Sequence, residues 1–217
     1  MQIPLFPLRT VLFPGMPLAL RIFEDRYKTM VNELLDSGGV FGVVLIREGE
    51  EVGGGATPHN VGTTARIEEC TSVAGGRFTL TARGAQRFRL VRMLSPRPYP
   101  AGEVTLIDDA PVEPTPQLKL AIETVRTTFP VYFRLALSLT DQWAQGLRLP
   151  TSPHALVNFL APWLQTDEEV KQRLLDIEPA AQRVAALAEL IDDLLGRTRE
   201  DVAQYRRGKF NGIGSQN

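Results

Sequence analysis

The chain has 217 residues, enough for one domain or two small ones, and 43% of them are hydrophobic, which is ample for a packed core. Its 24 Lys and Arg against 25 Asp and Glu leave a net charge of −1, so no global field draws it to phosphate backbones, anionic lipid or strongly acidic partners. The single cysteine, Cys70, excludes an intramolecular disulfide; no charged start leads into an apolar leader, and no uncharged apolar run approaches the roughly 20 residues of a membrane span, so a cytoplasmic protein without a membrane partner is expected.

The opening Ile3-Pro4-Leu5-Phe6-Pro7-Leu8-Arg9-Thr10-Val11-Leu12-Phe13-Pro14-Gly15-Met16-Pro17-Leu18 is the most distinctive stretch. Its prolines exclude a helix and restrict strand pairing, which predicts an extended, bent and partly unpaired segment lying over a barrel. Residues 17–23 then alternate through Leu18, Leu20 and Ile22 as a half-buried strand does. Residues 24–36 switch to a helical face made by Tyr27, Met30, Val31, Leu34 and Leu35, ended by Gly38-Gly39. Residues 41–47 are almost continuously apolar, as in a strand covered on both sides or closed into a barrel.

Residues 51–60, with Gly53-Gly54-Gly55 and Pro58, form an exposed loop, and Ala74-Gly75-Gly76 has the permissive backbone of a hairpin turn. Around that turn, 77–83 and 87–94 alternate as two half-buried strands, while 61–69 and 103–107 are weaker strand candidates. Six or seven short strands are therefore expected in the first half.

Residues 108–116, with Pro111, Pro114 and Pro116, lose all apolar periodicity, and the boundary is placed there. Beyond it the signals are helical. One helix spans 118–129 and stops near Pro130, and a second covers 132–146. Ser152-Pro153 starts a third, with Leu156, Phe159 and Leu160 on one side. Thr166 and Glu169 have capping-box spacing for a fourth. Pro179 opens a longer one striped by Val184, Leu187, Ala188, Ile191, Leu194 and Leu195. Residues 197–217, with Arg206-Arg207-Gly208-Lys209, lack an apolar face and are expected to fray.

Catalytic chemistry finds little support. His59 in its loop and His154 after a helix-start proline read as solvated polar residues rather than bases. One cysteine and two distant histidines give no metal-ligand spacing, so no metal or cofactor is expected. Glu68, Glu69 and Thr71 surround Cys70, and the acidic neighbours would raise its thiol pKa, as suits an inert strand residue. The Gly53-Gly54-Gly55-Ala56-Thr57 run lacks the lysine and order of a phosphate-binding loop, and no nucleophile elbow is present. Asp108-Asp109 and Asp192-Asp193 read as solvated pairs. The arginines of 83–92 interleave with Phe88 and Leu90 in a way that superficially suits nucleic acid, but a charged strand face is the simpler account, with Glu24 or Asp25 as acidic partners.

Set beside known families, the chain resembles the N-terminal substrate-binding domain of the Lon proteases. The resemblance is carried by Ile3-Pro4-Leu5-Phe6-Pro7-Leu8-Arg9 with Val11, Phe13-Pro14-Gly15 and Pro17-Leu18 leading into Ile22-Phe23-Glu24. Val61-Gly62-Thr63-Thr64-Ala65-Arg66-Ile67, Gly84-Ala85-Gln86-Arg87-Phe88 and Lys171-Gln172-Arg173-Leu174-Leu175-Asp176 with Arg183 continue it to about residue 196. It implies an α+β fold: a PUA-like twisted antiparallel β-barrel with one inserted helix over 1–110, followed by a C-terminal α-helical bundle over 111–196, with a frayed basic tail at 197–217. The chain ends after the helices and shows no phosphate-binding loop, so neither ATPase nor protease activity is expected with it.

What the resemblance implies is a non-enzymatic protein- or peptide-binding module that takes unfolded or native protein segments or docks to a protease or other complex. RNA binding through a PUA-like barrel is the alternative, and near-neutral charge disfavours it. The partner-binding candidates are Arg9, Phe13, Tyr27 and Arg87, with core packing competing for Phe13 and internal pairing competing for Arg9, Tyr27 and Arg87.

Overall fold

Pro4 and Pro7 lie inside a strand, and its pairing explains why they are tolerated. In the computed structural model, which describes residues 1–53, 55–94, 98–140, 142 and 147–213, β1 (Gln2–Leu8) pairs with a different strand at each end, and residues 9–16 after it belong to no strand. It runs antiparallel to β7 (Ala101–Leu106) over Gln2 to Pro4 and parallel to β3 (Phe41–Glu48) over Leu5 to Leu8. The Leu5 N–H donates to Pro100 O on the β7 side at 2.8 Å. Successive strand N–H groups alternate sides, so Pro7 would point to the β7 side beyond the end of that pairing, and Pro4 to the β3 side before that pairing starts. Each missing donor falls where no neighbouring strand needs it.

The remaining strands are β2 (Pro17–Ile22), β4 (Thr57–Pro58), β5 (Val61–Val73) and β6 (Arg77–Met93), and one helix, α1 (Asp25–Ser37), is inserted between β2 and β3. The result is a mixed, largely antiparallel seven-stranded sheet in which pairings run from β1 through β7, β6, β5 and β3 back to β1. Residues 77–93, expected within two strands of 77–83 and 87–94, form the single 17-residue β6. Its first half pairs with β2 and β5 and its second with β5 and β7. Gly84 lies where the partners change, and a register shift opposite it, between Thr63 and Ala65, absorbs the bend without ending the strand. Gly38 ends α1 with φ of 64°, as its sequence position predicts.

The near-continuous apolar run of β3 has a physical cause. Phe41 and Val43 join a core cluster with Phe6, Leu8, Ile22, Tyr27, Met30 and Val31, while Val44 joins a second with Ile3, Leu5, Phe88 and Val104. Both faces of β3 are thus buried.

Two compact units are present: Met1–Ala110 with Thr166–Glu178, and Pro111–Gln165 with Pro179–Asn217. The helix α4 (Glu168–Asp176) therefore groups with the strands, packing on β5, and not with the helices of 111–196 as its position in the chain predicts. Its N-cap is Asp167, and Thr166 and Glu169 form no capping box because the acidic side chains at its start are engaged elsewhere.

In the second unit α2 (Pro116–Ser138) and α3 (Pro153–Leu160) pack on α5 (Ala180–Ile213), and a single 3-10 turn spans Ala161–Trp163. The expected stop at Pro130 does not occur. α2 continues through it, and Tyr132 to Ser138 belong to its last turns; residues 141 and 143–146 of the expected second helix lie outside the described residues. An internal proline costs about 3 kcal/mol. Phe129 and Tyr132, fully buried on either side of it, offset this by fixing both halves of the helix in one core.

The expected frayed tail is also corrected, because α5 reaches Ile213. Thr198 and Val202 are buried and extend the stripe of Ile191, Leu194 and Leu195 at helical spacing. Residues 214–217 lie outside the described residues. Among the described residues no helix is long and apolar enough to cross a membrane.

Candidate functional site

Three parts of the chain far apart in sequence converge on one cleft of the first unit: Arg26 and Tyr27 at the start of α1, Glu50, Glu51, Gly55 and Ala56 after β3, and Met93 at the end of β6 with Leu94 and Pro98 to Pro100. The cleft has a volume of about 290 Å³, and its walls are mainly apolar, from Pro7, Ala56, Met93, Leu94, Pro98 and Pro100. The aromatic rings of Tyr27 and Tyr99 and the charged Arg26, Glu50 and Glu51 complete the lining. Apolar walls with a few convergent polar groups are the usual make-up of a binding cleft.

The polar groups are held by named bonds. Tyr27 stacks on Phe6 with centroids 4.1 Å apart, and the Arg26 guanidinium lies 4.5 Å above the Tyr27 ring. Arg26 pairs with Glu24 at 2.8 Å and donates to Glu51 O at 3.2 Å, while the Gly53 N–H donates to Glu24 at 3.4 Å. Arg26 Nε is buried and has no acceptor among the described residues. Arg9 grips the same loop from outside, its backbone N–H donating to the Glu51 carboxylate and its guanidinium to Gly49 O at 2.8 Å and Glu50 at 3.0 Å. The Tyr99 hydroxyl donates to the Glu33 carboxylate on α1. Burial pushes the Tyr27 phenol above its ordinary value, Arg26 opposes this, and Glu24 and Glu51 add to it.

Of the sequence candidates, Arg9 and Tyr27 thus meet around the 49–56 loop. Tyr27 is only 4% exposed and offers a ring edge, and Arg9 sits at the rim. Phe13 and Arg87 do not line the cleft, and both are fully buried. Phe13 fills core volume, and Arg87 pairs with Asp109 and the carbonyls of Leu175 and Ile177. Sequence reasoning misses Arg26, Glu51, Met93 and Tyr99, since no local pattern signals a cleft assembled from three separate segments. Gly54, within its loop, lies outside the described residues.

The other chemistry-bearing residues resolve as follows. His154 is buried rather than solvated. His59 bonds to Glu169 at 3.2 Å. The Cys70 thiol is pushed up by desolvation, not by its acidic neighbours. Arg83, Arg87, Arg89 and Arg92 of β6 pair with Glu68, Asp109, Glu178 and Glu103, whereas the expected Glu24 and Asp25 pair with Arg26 and Lys28. Among the described residues no group of His, Cys, Asp and Glu could hold a metal ion.

Known proteins align with this architecture. Residues 2–193 match the family model of the ATP-dependent protease La (LON) substrate-binding domain. The chain is 24% identical to the Lon protease of Flavobacterium johnsoniae and 26% identical to Lon protease 2 of Myxococcus xanthus, covering 96% and 91% of its own length. It spans only 27% and 24% of the length of those relatives. A solved Lon N-terminal domain protein from Xanthomonas campestris superposes with TM-score 0.63 at 29% identity, covering 86% of this chain and 96% of that one. The N-terminal domain of a Mycobacterium avium complex Lon protease shares the fold, with TM-score 0.64 at 19% identity over 89% and 99% of the two chains. The chain belongs to the family of the ATP-dependent protease La (LON) substrate-binding domain.

Proposed function

We propose that the chain is a non-catalytic module that binds segments of other polypeptides, with the cleft lined by Tyr27, Glu51, Ala56, Met93, Leu94 and Tyr99 as its binding surface. The observation that carries the reading is a mainly apolar cleft whose polar groups include a buried guanidinium N–H without an acceptor among the described residues. Such a wall suits apolar side chains, and Arg26 Nε suits a peptide carbonyl. Family membership supports protein substrates as the ligand class. In this reading the strands form a PUA-like barrel, the helices of the second unit a bundle, and the module works in the cytoplasm on unfolded or native protein segments. Arg9 then acts at the rim by holding the loop, and Tyr27 by setting the cleft floor. The pairing of Arg83, Arg87, Arg89 and Arg92 with carboxylates takes support away from an RNA-binding role for that stretch of β6.

The test is a fluorescence-anisotropy screen of labelled apolar peptides and an unfolded protein, using the wild type and an Ala56→Trp variant that fills the cleft. Saturable binding that weakens by at least about tenfold in the filled variant is expected, corresponding to loss of one apolar contact region. Absence of saturable polypeptide binding to the wild type would overturn the reading.

A further inference from the structure

A second surface of the first unit points to the form in which a polypeptide is bound. β2 pairs with β6 alone, and its other edge has no backbone partner among the described residues. Half of the N–H and C=O groups of a strand point away from its partner, and an extended peptide is what satisfies a row of them. Pro17, the first residue of β2, suits an edge strand. Beside the far end of this strand lies an open pocket of about 390 Å³, lined by Arg21, Ile22, Phe23, Val73, Arg77 and Phe78 with Thr79. Phe23 is 54% and Val73 39% exposed, so the apolar part of this lining is open to solvent.

The charge in this pocket is one-sided. Its lining carries two arginines and no carboxylate. Arg21 has neither an ion pair nor a side-chain hydrogen bond among the described residues, in contrast to Arg83, Arg87, Arg89 and Arg92 on β6, each of which has an acidic partner. Arg77 donates only from Nε, to Ala74 O at 3.1 Å. We infer that the β2 edge and this pocket together take an extended, acidic and apolar polypeptide segment, added to β2 as a further strand. An apolar side chain enters between Phe23, Val73 and Phe78, and carboxylates meet Arg21 and Arg77. The open backbone edge decides for polypeptide over nucleic acid, which also favours arginine beside aromatic rings but cannot complete a sheet.

The inference rests on the polypeptide-binding reading, and the test separates the two. A labelled eight-residue probe alternating Phe or Leu with Asp is titrated by anisotropy against the full chain. Binding is expected to weaken about tenfold for a probe with Lys in place of Asp, and by as much for the Arg21→Glu and Arg77→Glu double variant. A probe N-methylated at alternate residues should lose binding to the wild type, a readout independent of any change in the protein. If the acidic probe does not bind, or binds the double variant and the N-methylated form equally well, the inference falls while binding of other polypeptides at the first cleft still stands. If a single-stranded oligonucleotide displaces the probe and binds more tightly, the surface belongs to nucleic acid and the inference is overturned. If no polypeptide binds anywhere, both readings fall.

Discussion

Arg87 and Asp109 form a 2.6 Å ion pair in which the arginine is wholly buried and the aspartate is 23% exposed. The same guanidinium donates at 2.7 Å to the carbonyls of Leu175 and Ile177, so one side chain ties β6, the 107–110 segment and the C-terminal end of α4 together. A cation at that helix end also meets the negative end of its dipole. Arg87→Ala should cost about 3 kcal/mol, since it removes the buried cation that serves the Asp109 carboxylate and two carbonyls together. Arg87→Lys should recover only part of this, because an ammonium lacks the planar fork that serves several acceptors. Urea unfolding checks both, and a midpoint unchanged in Arg87→Ala would refute the tie.

Arg87 also shows where legibility in the sequence ends. Alternation along 87–92 marks a strand, and β6 is one. Alternation assigns Arg87 to a charged outer face, yet residues 88 to 91 positions later fold over that face and bury it. The α1 helix and both-sided β3 are readable because their signals are local: helical spacing with a glycine stop, and an unbroken apolar run. The pairing of β1 is not, since prolines forbid a donor without saying which side needs one. The continuation of α2 through Pro130 depends on burial of Phe129 and Tyr132, which no local rule reports. At the cleft, Arg9 and Tyr27 are within reach of sequence reasoning and the other walls are not, because only folding brings residues 26–27, 50–51, 55–56, 93–94 and 98–100 together.

Gly84 and Gly196 should respond to alanine with opposite signs. A Cβ on Gly84 would lie 2.3 Å from Phe13 O, a backbone atom held in place because the Gly84 N–H donates to Met16 O and Gly84 O accepts from the Gly15 N–H. Gly84→Ala should destabilise by about 1–3 kcal/mol or more, since backbone rather than a side chain must move. Gly196 sits in α5, and a methyl group placed on its Cα would meet nothing within 4 Å, so Gly196→Ala should stabilise by about 1 kcal/mol through helix propensity. Thermal unfolding of the pair measures both signs at once.

Glu168 replaces the expected capping box with a long-range bond. Its carboxylate accepts from the Val11 N–H at 2.6 Å and the Thr10 hydroxyl at 3.3 Å, and it pairs with Lys171 at 2.7 Å. Glu168→Ala should destabilise by about 1–3 kcal/mol, the usual penalty for leaving a part-buried donor unmade. Hydrogen exchange at the Val11 amide should accelerate more than at α1 amides, and equal acceleration everywhere would show that the bond is not local.

Tyr27 and Tyr132 give the fold an alkaline limit. Burial raises both phenols above the ordinary 10.0, against the pull of Arg26 on Tyr27 and of the Gln165 N–H on Tyr132. Below pH 10.0 both states hold the proton and the full stability is present. Above it the unfolded chain releases protons that the folded chain keeps, so stability falls as pH rises toward the higher folded values. Replacing both tyrosines with phenylalanine should flatten the decline in urea midpoint from about pH 10 upward relative to the wild type. A slope identical to the wild type's would place the alkaline loss in other groups.

The last helix carries a prediction about length. Thr198 and Val202, each 7% exposed, continue the buried stripe of α5, and the Thr198 hydroxyl donates to Leu194 O at 2.7 Å. A chain cut after residue 197 loses the buried methyl groups of both, at roughly 0.8 kcal/mol for each carbon-sized unit withdrawn from the core. It also moves the frayed last turn of α5 next to Leu194 and Leu195, which are buried. Shortened chains should therefore unfold at lower temperature, with the loss concentrated between cuts after residues 205 and 197. Val202→Asp in the full chain should reproduce most of that loss, because it puts a carboxylate where the helix buries a side chain. A cut after residue 197 with an unchanged midpoint would mean that the stripe beyond Leu195 adds nothing to the second unit's core.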